Sequence, residues 1–285
     1  TNNVFFCFSV WYFTFVLNKN IKCEMDTTTI PSKIEQAVYS VLQGVNNTPY
    51  SITIDGTTTT FTSSNTDTKA IRDGLKSAIG SPSGITLANI GDSSFSIIKS
   101  SGTLSISASD GFGDDASQVV ADTVQNFSDL PQPAINGMVV EVTGDASNNF
   151  DNYFVKYNTD VWEETVKPAT PINIKNTKFP HLLIRTADGN FRFTQIDGSS
   201  YTISATSYDV PTLGSRVAGD LNSAPDPSFI GKKINDIFFH RNRLGVLADE
   251  NVIMSRSGEF FEFFPETVTS ALDTDPIDVA STHTK

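Results

Sequence analysis

The chain has 285 residues, enough for one large domain or two to three small ones, and sets 20 Lys and Arg against 32 Asp and Glu, a formal net charge of −12. So acidic a chain is excluded from gripping nucleic acid through a phosphate-neutralising basic face, although like charge lets it surround a polyanion without holding it. Charged residues make up 18% of the sequence, below the roughly 25% of soluble domains; Ser, Thr, Asn and Gly take their place, the mark of a strand- and turn-rich protein.

Residues 4–17, VFFCFSVWYFTFVL, are the one strongly apolar run. The run is shorter than the ~20 residues a helix needs to cross a bilayer, so no membrane span is expected. No Lys or Arg precedes it and no small-residue cleavage site follows, which argues against a signal peptide. Thr1 is not an initiator Met, and the composition is that of A/T-rich codons. Residues 1–44 are therefore read as an atypical segment, non-native before Met25 and without a partner in the rest of the chain. Cys7 and Cys23 both lie there, and residues 24–285 hold no cysteine. That excludes a disulfide framework or a cysteine-built metal site in the remainder and is compatible with folding in a cytosol.

In residues 32–42 the apolar side chains Ile34, Ala37, Val38, Val41 and Leu42 fall at helical spacing, which leads equally well into a strand. TPYSITIDGTTTTFT alternates Tyr50, Ile52 and Ile54 with small polar residues and places Asp55-Gly56 between two strand-like runs, a hairpin signal. Residues 66–79 read as an amphipathic helix with Ala70, Ile71, Leu75, Ala78 and Ile79 on one face and Gly80 as its stop. Three short strands follow, ITLANI, SFSIIKS and TLSISAS. A second helix is expected to open at Asp114 and Asp115, whose charge suits the N-terminal dipole end, and to carry Val119, Val120 and Val124. Residues 45–130 thus form one module in the order ββαβββα, an antiparallel sheet covered by helices on one face.

Pro131 and Pro133 mark a boundary. Residues 131–228 are almost wholly strand and turn, with GMVVEVTG, NYFVKYN, VWEETV and HLLIRTADGNFRFTQ as strands and residues 187–190 as a tight hairpin turn. Residues 197–228 read as a polar, Gly- and Pro-punctuated loop. Residues 229–285 hold a strand pair, IFFHRNRLGVLA and NVIMSRSG, and then FFEFF. This looks like one unit of a repeating sheet, which cannot bury its own apolar face. Phe260, Phe261, Phe263 and Phe264 are accordingly expected to be covered by later repeats or by another subunit.

No HExxH, G-x-S-x-G, P-loop or Rossmann glycine pattern is present. His181, His240 and His283 are widely separated and read as packing or hydrogen-bonding residues. Glu163-Glu164, Asp114-Asp115 and the group Asp273, Asp275 and Asp278 are carboxylate pairs of the kind a glycosidase sets roughly 5–9.5 Å apart, but among so many acidic residues such pairs arise by chance. LDTDPIDVAS lacks the spaced ligands of a calcium loop and reads as a solvated turn. No catalytic, cofactor or metal residue is therefore assigned. The basic cluster Lys232, Lys233, Arg241 and Arg243 reads as a solvated face or as a pairing surface for a neighbouring subunit, and Arg241 and Arg243 join the four phenylalanines as candidate subunit or blade contacts.

FSDLPQPAINGMVVEV, NYFVKYN followed by VWEET, PHLLIRTADGNFRF, GKKINDIFFHRNRLGVLADENVIMSRSGEFFEFFP and LDTDPIDVASTHTK resemble the tail tubular protein B, or tail nozzle, family of short-tailed bacteriophages over roughly residues 45–285. The resemblance implies a β-rich α+β chain: the N-terminal module as part of a platform, a sandwich- or barrel-like segment after it, and residues 229–285 as the first strands of an incomplete β-propeller whose remainder lies beyond Lys285. The family's Gln-Pro-rich start is not recognisable in residues 1–44. The resemblance further implies a virion tail protein, folded in the host cytoplasm and assembled as a hexameric ring on the tail adaptor protein. Tail fibre protein would be a neighbour, and the genome would pass through the channel without specific binding. The alternative, motivated by the carboxylates and aromatics, is a tail-associated polysaccharide-binding or polysaccharide-degrading protein.

Overall fold

The structure, a computed structural model, describes residues 4–10, 13–144, 152–203 and 205–281. It divides into two compact units, residues 32–165 and residues 1–31 with 166–285. The chain opens with a hairpin of β1 (Phe5–Val10) and β2 (Phe13–Asn18), paired from Phe5 with Asn18 to Val10 with Phe13.

In the unit of residues 32–165, β3 (Gln36–Val41) is buried along its whole length. Ala37, Tyr39 and Val41 enter one core while Val38 enters another. A strand buried on both faces loses the alternation that marks a half-buried one, which is why its sequence suits a helix equally well. β4 (Pro49–Ile54) and β5 (Thr57–Thr62) turn at Asp55 and Gly56 with φ of 49° and 81°, the doubly left-handed geometry this residue pair accepts. Tyr50, Ile52 and Ile54 point inward, while Ser51 and Thr53 pair their hydroxyls with Thr60 and Thr58 at 2.8 Å on the open face.

α1 (Thr68–Ile79) follows. The carboxylate of Asp67 accepts the Lys69 backbone N–H at 2.9 Å, and Gly80 ends the helix by donating to Lys76 O at 3.2 Å. Ile71 and Leu75 are buried with Tyr50, Ile52, Phe95 and Ile97. Arg72 is buried too, and its Nη1 donates to the carbonyls of Gly91 and Ser94 at 3.1 and 3.3 Å.

β6 (Ile85–Ile90), β7 (Ser94–Lys99) and β8 (Ile106–Asp110) are the three expected strands. The expected second helix does not form: its residues make β9 (Ser117–Val120) and β10 (Thr123–Val124), and α1 is the one α-helix among the described residues. The cause is local. The Asp110 carboxylate accepts backbone N–H groups from Phe112, Asp114, Ala116 and Ser117 at 2.8–3.1 Å, and Asp114 has φ of 64°. Amides bound to a side chain in a left-handed loop cannot begin a helical ladder. The strands assemble as sheets in the orders β6-β7-β3-β9 and β5-β4-β8.

β11 (Val139–Val142), β12 (Tyr153–Asn158) and β13 (Val161–Thr165) complete a third sheet in the order β10-β11-β12-β13, antiparallel except for the β10–β11 pair. Its core holds Met138, Val140, Val155 and Tyr157, and Trp162 donates Nε1–H to Pro131 O at 3.0 Å.

The other unit begins with β1 and β2 and resumes with β14 (His181–Arg185) and β15 (Phe191–Thr194), joined by the expected turn around Gly189. β2 pairs with β14, giving the sheet order β1-β2-β14-β15. The N-terminal run, expected to have no partner, is thus part of a four-stranded sheet. Phe15 and Leu17 are 2% exposed and pack with Leu182 and Ile184. Alternation along β2 (Phe13, Phe15 and Leu17 inward, Thr14, Val16 and Asn18 outward) is the reason: a strand buries every second residue, and a run read as uniformly apolar had concealed that period.

The region read as a polar loop contains β16 (Ser200–Ile203) and β17 (Thr206–Asp209), a hairpin whose Tyr201 and Tyr208 rings stack at 5.3 Å. β18 (Ile234–His240), β19 (Arg243–Ala248), β20 (Asn251–Met254) and β21 (Ile277–Ala280) form a four-stranded antiparallel sheet in sequential order. LDTDPIDVAS, read as a solvated turn, therefore supplies the strand β21. Described as a whole, the fold is β-rich, built from several mostly antiparallel sheets.

Candidate assembly site

The residues singled out as subunit or blade contacts fall into different environments. Arg243, at the start of β19, is 7% exposed. Its Nη1 donates to the carbonyls of Ser255, Thr274 and Asp275 at 2.7, 3.3 and 2.6 Å, and its Nη2 to Asp273 O at 2.8 Å. One guanidinium thereby holds the segment before β21 against the middle of the sheet. Arg241 is exposed at the β18–β19 turn, in a left-handed conformation with φ of 48°. Lys233 is exposed, so the expected basic cluster divides between solvent and interior.

The phenylalanines differ from expectation. Phe263 and Phe264 are 4% and 1% exposed, and Phe260 and Phe261 pack on the same core. The cover comes from within the chain: Phe13 and Phe15 bring their rings to 6.1 and 6.0 Å from Phe261, and Phe179 and Phe229 lie 5.7 and 5.2 Å from Phe263. The expectation of an outside cover arose because β1 and β2 were set aside as foreign.

Arg216, which nothing in the local sequence singled out, performs a second clamp. Its Nε donates to Ala224 O at 2.8 Å, its Nη1 to Pro171 O, and its Nη2 pairs with Asp226 at 2.5 Å. The guanidinium lies 4.7 Å from the Phe264 ring centre. A buried cation holding carbonyls and one carboxylate is positioned for architecture, since its donors are occupied inside the chain. Cys23 is likewise buried; burial first, and Glu24 second, push its thiol up to about 12, so it remains an uncharged packing group.

The residues weighed for chemistry do not converge. His181 stacks on Phe193 at 5.0 Å with 9° between the rings, and its Nδ1 lies 3.1 Å from Phe179 O. His240 is exposed at the β18–β19 turn, and His283 lies outside the described residues. Glu163 faces Lys156 across the β12–β13 ladder and accepts from Asn158 Nδ2 at 3.1 Å. Among the described residues no group of three or more His, Cys, Asp or Glu is placed to hold a metal ion, and no helix is long and apolar enough to cross a membrane.

What the structure does leave open is aromatic surface. On β1-β2-β14-β15 one face is core, and the other carries Phe5, Cys7, Ser9, Thr14, Val16, His181, Leu183, Arg185, Phe191 and Phe193. Phe5, Phe191 and Phe193 are 62%, 63% and 59% exposed. The signal in the sequence was the alternation of Phe191 and Phe193 around Arg192, whose guanidinium sits on the opposite side, 4.1 Å from the Tyr201 ring centre. The β-branched and aromatic residues of such a strand mark it as a strand without saying which face is covered.

Two comparisons with known proteins bear on this arrangement. The family described as bacteriophage nozzle protein matches the chain over residues 1–285. The tail tubular protein gp12 of Escherichia phage T7 is 40% identical to it over 178 residues, which are 62% of this chain and 20% of the phage protein. The chain thus spans about a fifth of the length of that curated relative.

Proposed function

We propose, since the chain belongs to the bacteriophage nozzle protein family, that it is a structural subunit of a phage tail: it forms a ring-shaped channel for DNA ejection and attaches to the adaptor ring of the virion. The observation that carries this reading is the match of the family along residues 1–285. Similarity to a tail tubular protein of phage T7 supports it. So does the charge: a wall with a net charge of −12 per chain does not retain a passing polyanion.

The sheet β18-β19-β20-β21 runs antiparallel in sequential order, the organisation of one propeller blade, and we read it as the first blade. Residues 45–130 and 131–228 are read as the platform region. Assembly is by identical head-to-tail contacts, which close into a ring when the rotation allows, six-fold by the family resemblance. The adaptor protein and a tail fibre protein are the expected neighbours, and the protein acts by assembly rather than by catalysis. Electron microscopy of the chain mixed with its adaptor ring tests the reading: stacked rings with an axial opening support it. Release of reducing sugars from host capsule by the purified protein, with no ring formed, would replace it with the polysaccharide-directed alternative.

A further inference from the structure

We propose that the open face of β1-β2-β14-β15 docks a second copy of the chain through the loop that carries Phe112. The proposal rests on the ring reading above and supplies its contact. Phe5, Phe191 and Phe193 are each about 60% exposed. With ~200 Å² per aromatic side chain, they present roughly 350 Å² of ring surface, the size of the largest apolar patch on a typical monomer and nearly half of the ~800 Å² that one partner buries in a standard interface.

Two hollows border the face. A cavity of about 240 Å³ is lined by Phe5, Val16, His181 and Phe193 together with Leu17 and Phe179 of the core side. A groove of about 600 Å³ is lined by Thr14, Leu183, Arg185 and Phe191, with Phe13, Ile184, Tyr208 and Asp209 at its edge. Either has the volume to take an aromatic side chain.

Both units are net negative, and it is local charge that favours the occupant. Residues 1–31 and 166–285 hold 14 Lys and Arg against 16 Asp and Glu, and residues 32–165 hold 6 against 16, so the net charges are −2 and −10. Arg185 stands exposed on the open face beside Phe191, its partner in the β14–β15 ladder. Phe112 is 45% exposed, with Asp114 and Asp115 exposed next to it. This loop is already ordered. Besides its four backbone amides, Asp110 accepts the Ser117 hydroxyl at 3.0 Å, and Asp114 accepts the Asp110 N–H at 2.8 Å. An aromatic anchor on a rigid loop loses little entropy on docking, and an acidic flank meeting Arg185 fixes its register. Because loop and groove are different surfaces of one chain, the contact is head-to-tail, the kind that closes into a ring when the rotation allows.

Sedimentation velocity of the full chain at low and high ionic strength tests this, alone and on its adaptor ring. Phe191→Ser with Phe193→Ser, and separately Phe112→Ser, should weaken self-association about tenfold or more, with circular dichroism melts close to wild type. Arg185→Glu alone and Asp114→Lys with Asp115→Lys alone should also weaken it. An equimolar mixture of these two charge variants should recover association, because reversed groove then meets reversed loop. Variants that form rings as readily as wild type, or charge variants that do not recover on mixing, overturn the docking contact while leaving the ring reading intact. A wild-type chain that forms no ring under any condition overturns both.

Discussion

Phe15→Ala is the perturbation that best tests whether residues 4–18 belong to the fold. Phe15 is 2% exposed, pairs with Leu182 across β2 and β14, and places its ring 6.0 Å from that of Phe261. Truncating a buried phenylalanine costs about 3–5 kcal/mol from lost transfer energy and the cavity left behind. In a unit the size of residues 1–31 plus 166–285, each kcal/mol lowers the midpoint by about 2–4 °C, so a shift of roughly 6–20 °C is expected. Phe5→Ala, on the same hairpin but 62% exposed, is the control and should leave the midpoint within about 2 °C, because surface truncations cost within ~0.5 kcal/mol. Differential scanning calorimetry gives the shift, and hydrogen exchange read by mass spectrometry locates it. The amides of β2 and β14 should lose protection in Phe15→Ala, while those of β3 and β7 keep it. Deleting residues 1–24 should be worse than either substitution, since it also removes Leu17 and Cys23 from the core. A Phe15→Ala melt indistinguishable from wild type would show that the N-terminal hairpin does not contribute to the folded unit.

Ile52→Ala should cost about 2–5 kcal/mol, since Ile52 is 1% exposed, whereas Thr53→Ala on the open face should cost under ~1 kcal/mol; equal urea midpoints would refute the strand register. Arg243→Met removes four charge-assisted bonds to carbonyls and leaves Ser255 O buried without that donor. Hydrogen exchange should quicken in β21 before it does in β19, and uniform protection would deny the clamp. Burial first, and then Glu259, raise Glu262 above the ordinary carboxylate value, against the opposing effect of Arg256. The folded state therefore binds this proton more readily than the unfolded chain, and the penalty for the charged form is absent below the ordinary carboxylate pKa and grows as pH rises through the raised value. Glu262→Gln should stabilise at neutral pH and lose that advantage in acid, as measured by midpoints across a pH series; the opposite trend would show the carboxylate to be held by a cation.

Local chemistry carried much of the secondary structure. Asp55-Gly56 dictated a hairpin because few other pairs accept two left-handed residues. Gly80 stopped the helix because, without a Cβ, it takes the left-handed φ of 71° that returns its N–H to Lys76 O, whereas the Asp67 cap that starts the helix at Thr68 came only with the structure. The second helix failed at Asp114 because the sequence shows an acidic residue but not whether Asp110 has already taken the amides a helix needs. Residues 4–17 and the run at residues 260–264 show the larger limit. Each looked unfinished alone, and each is covered, in good part, by the other across more than 200 residues of chain. In the same way Arg216 and Arg243 carry nothing in their neighbours to say that they hold carbonyls brought from elsewhere in the chain. Composition, turn chemistry and long ordered segments therefore determined the β-rich class, the acidic charge and the nozzle family from the sequence itself. The return of the N-terminal hairpin to β14, the two-sided burial of β3 and the exposure of Phe191 and Phe193 were decided only in three dimensions, because periodicity tells a strand that it has two faces and only packing settles what each face meets.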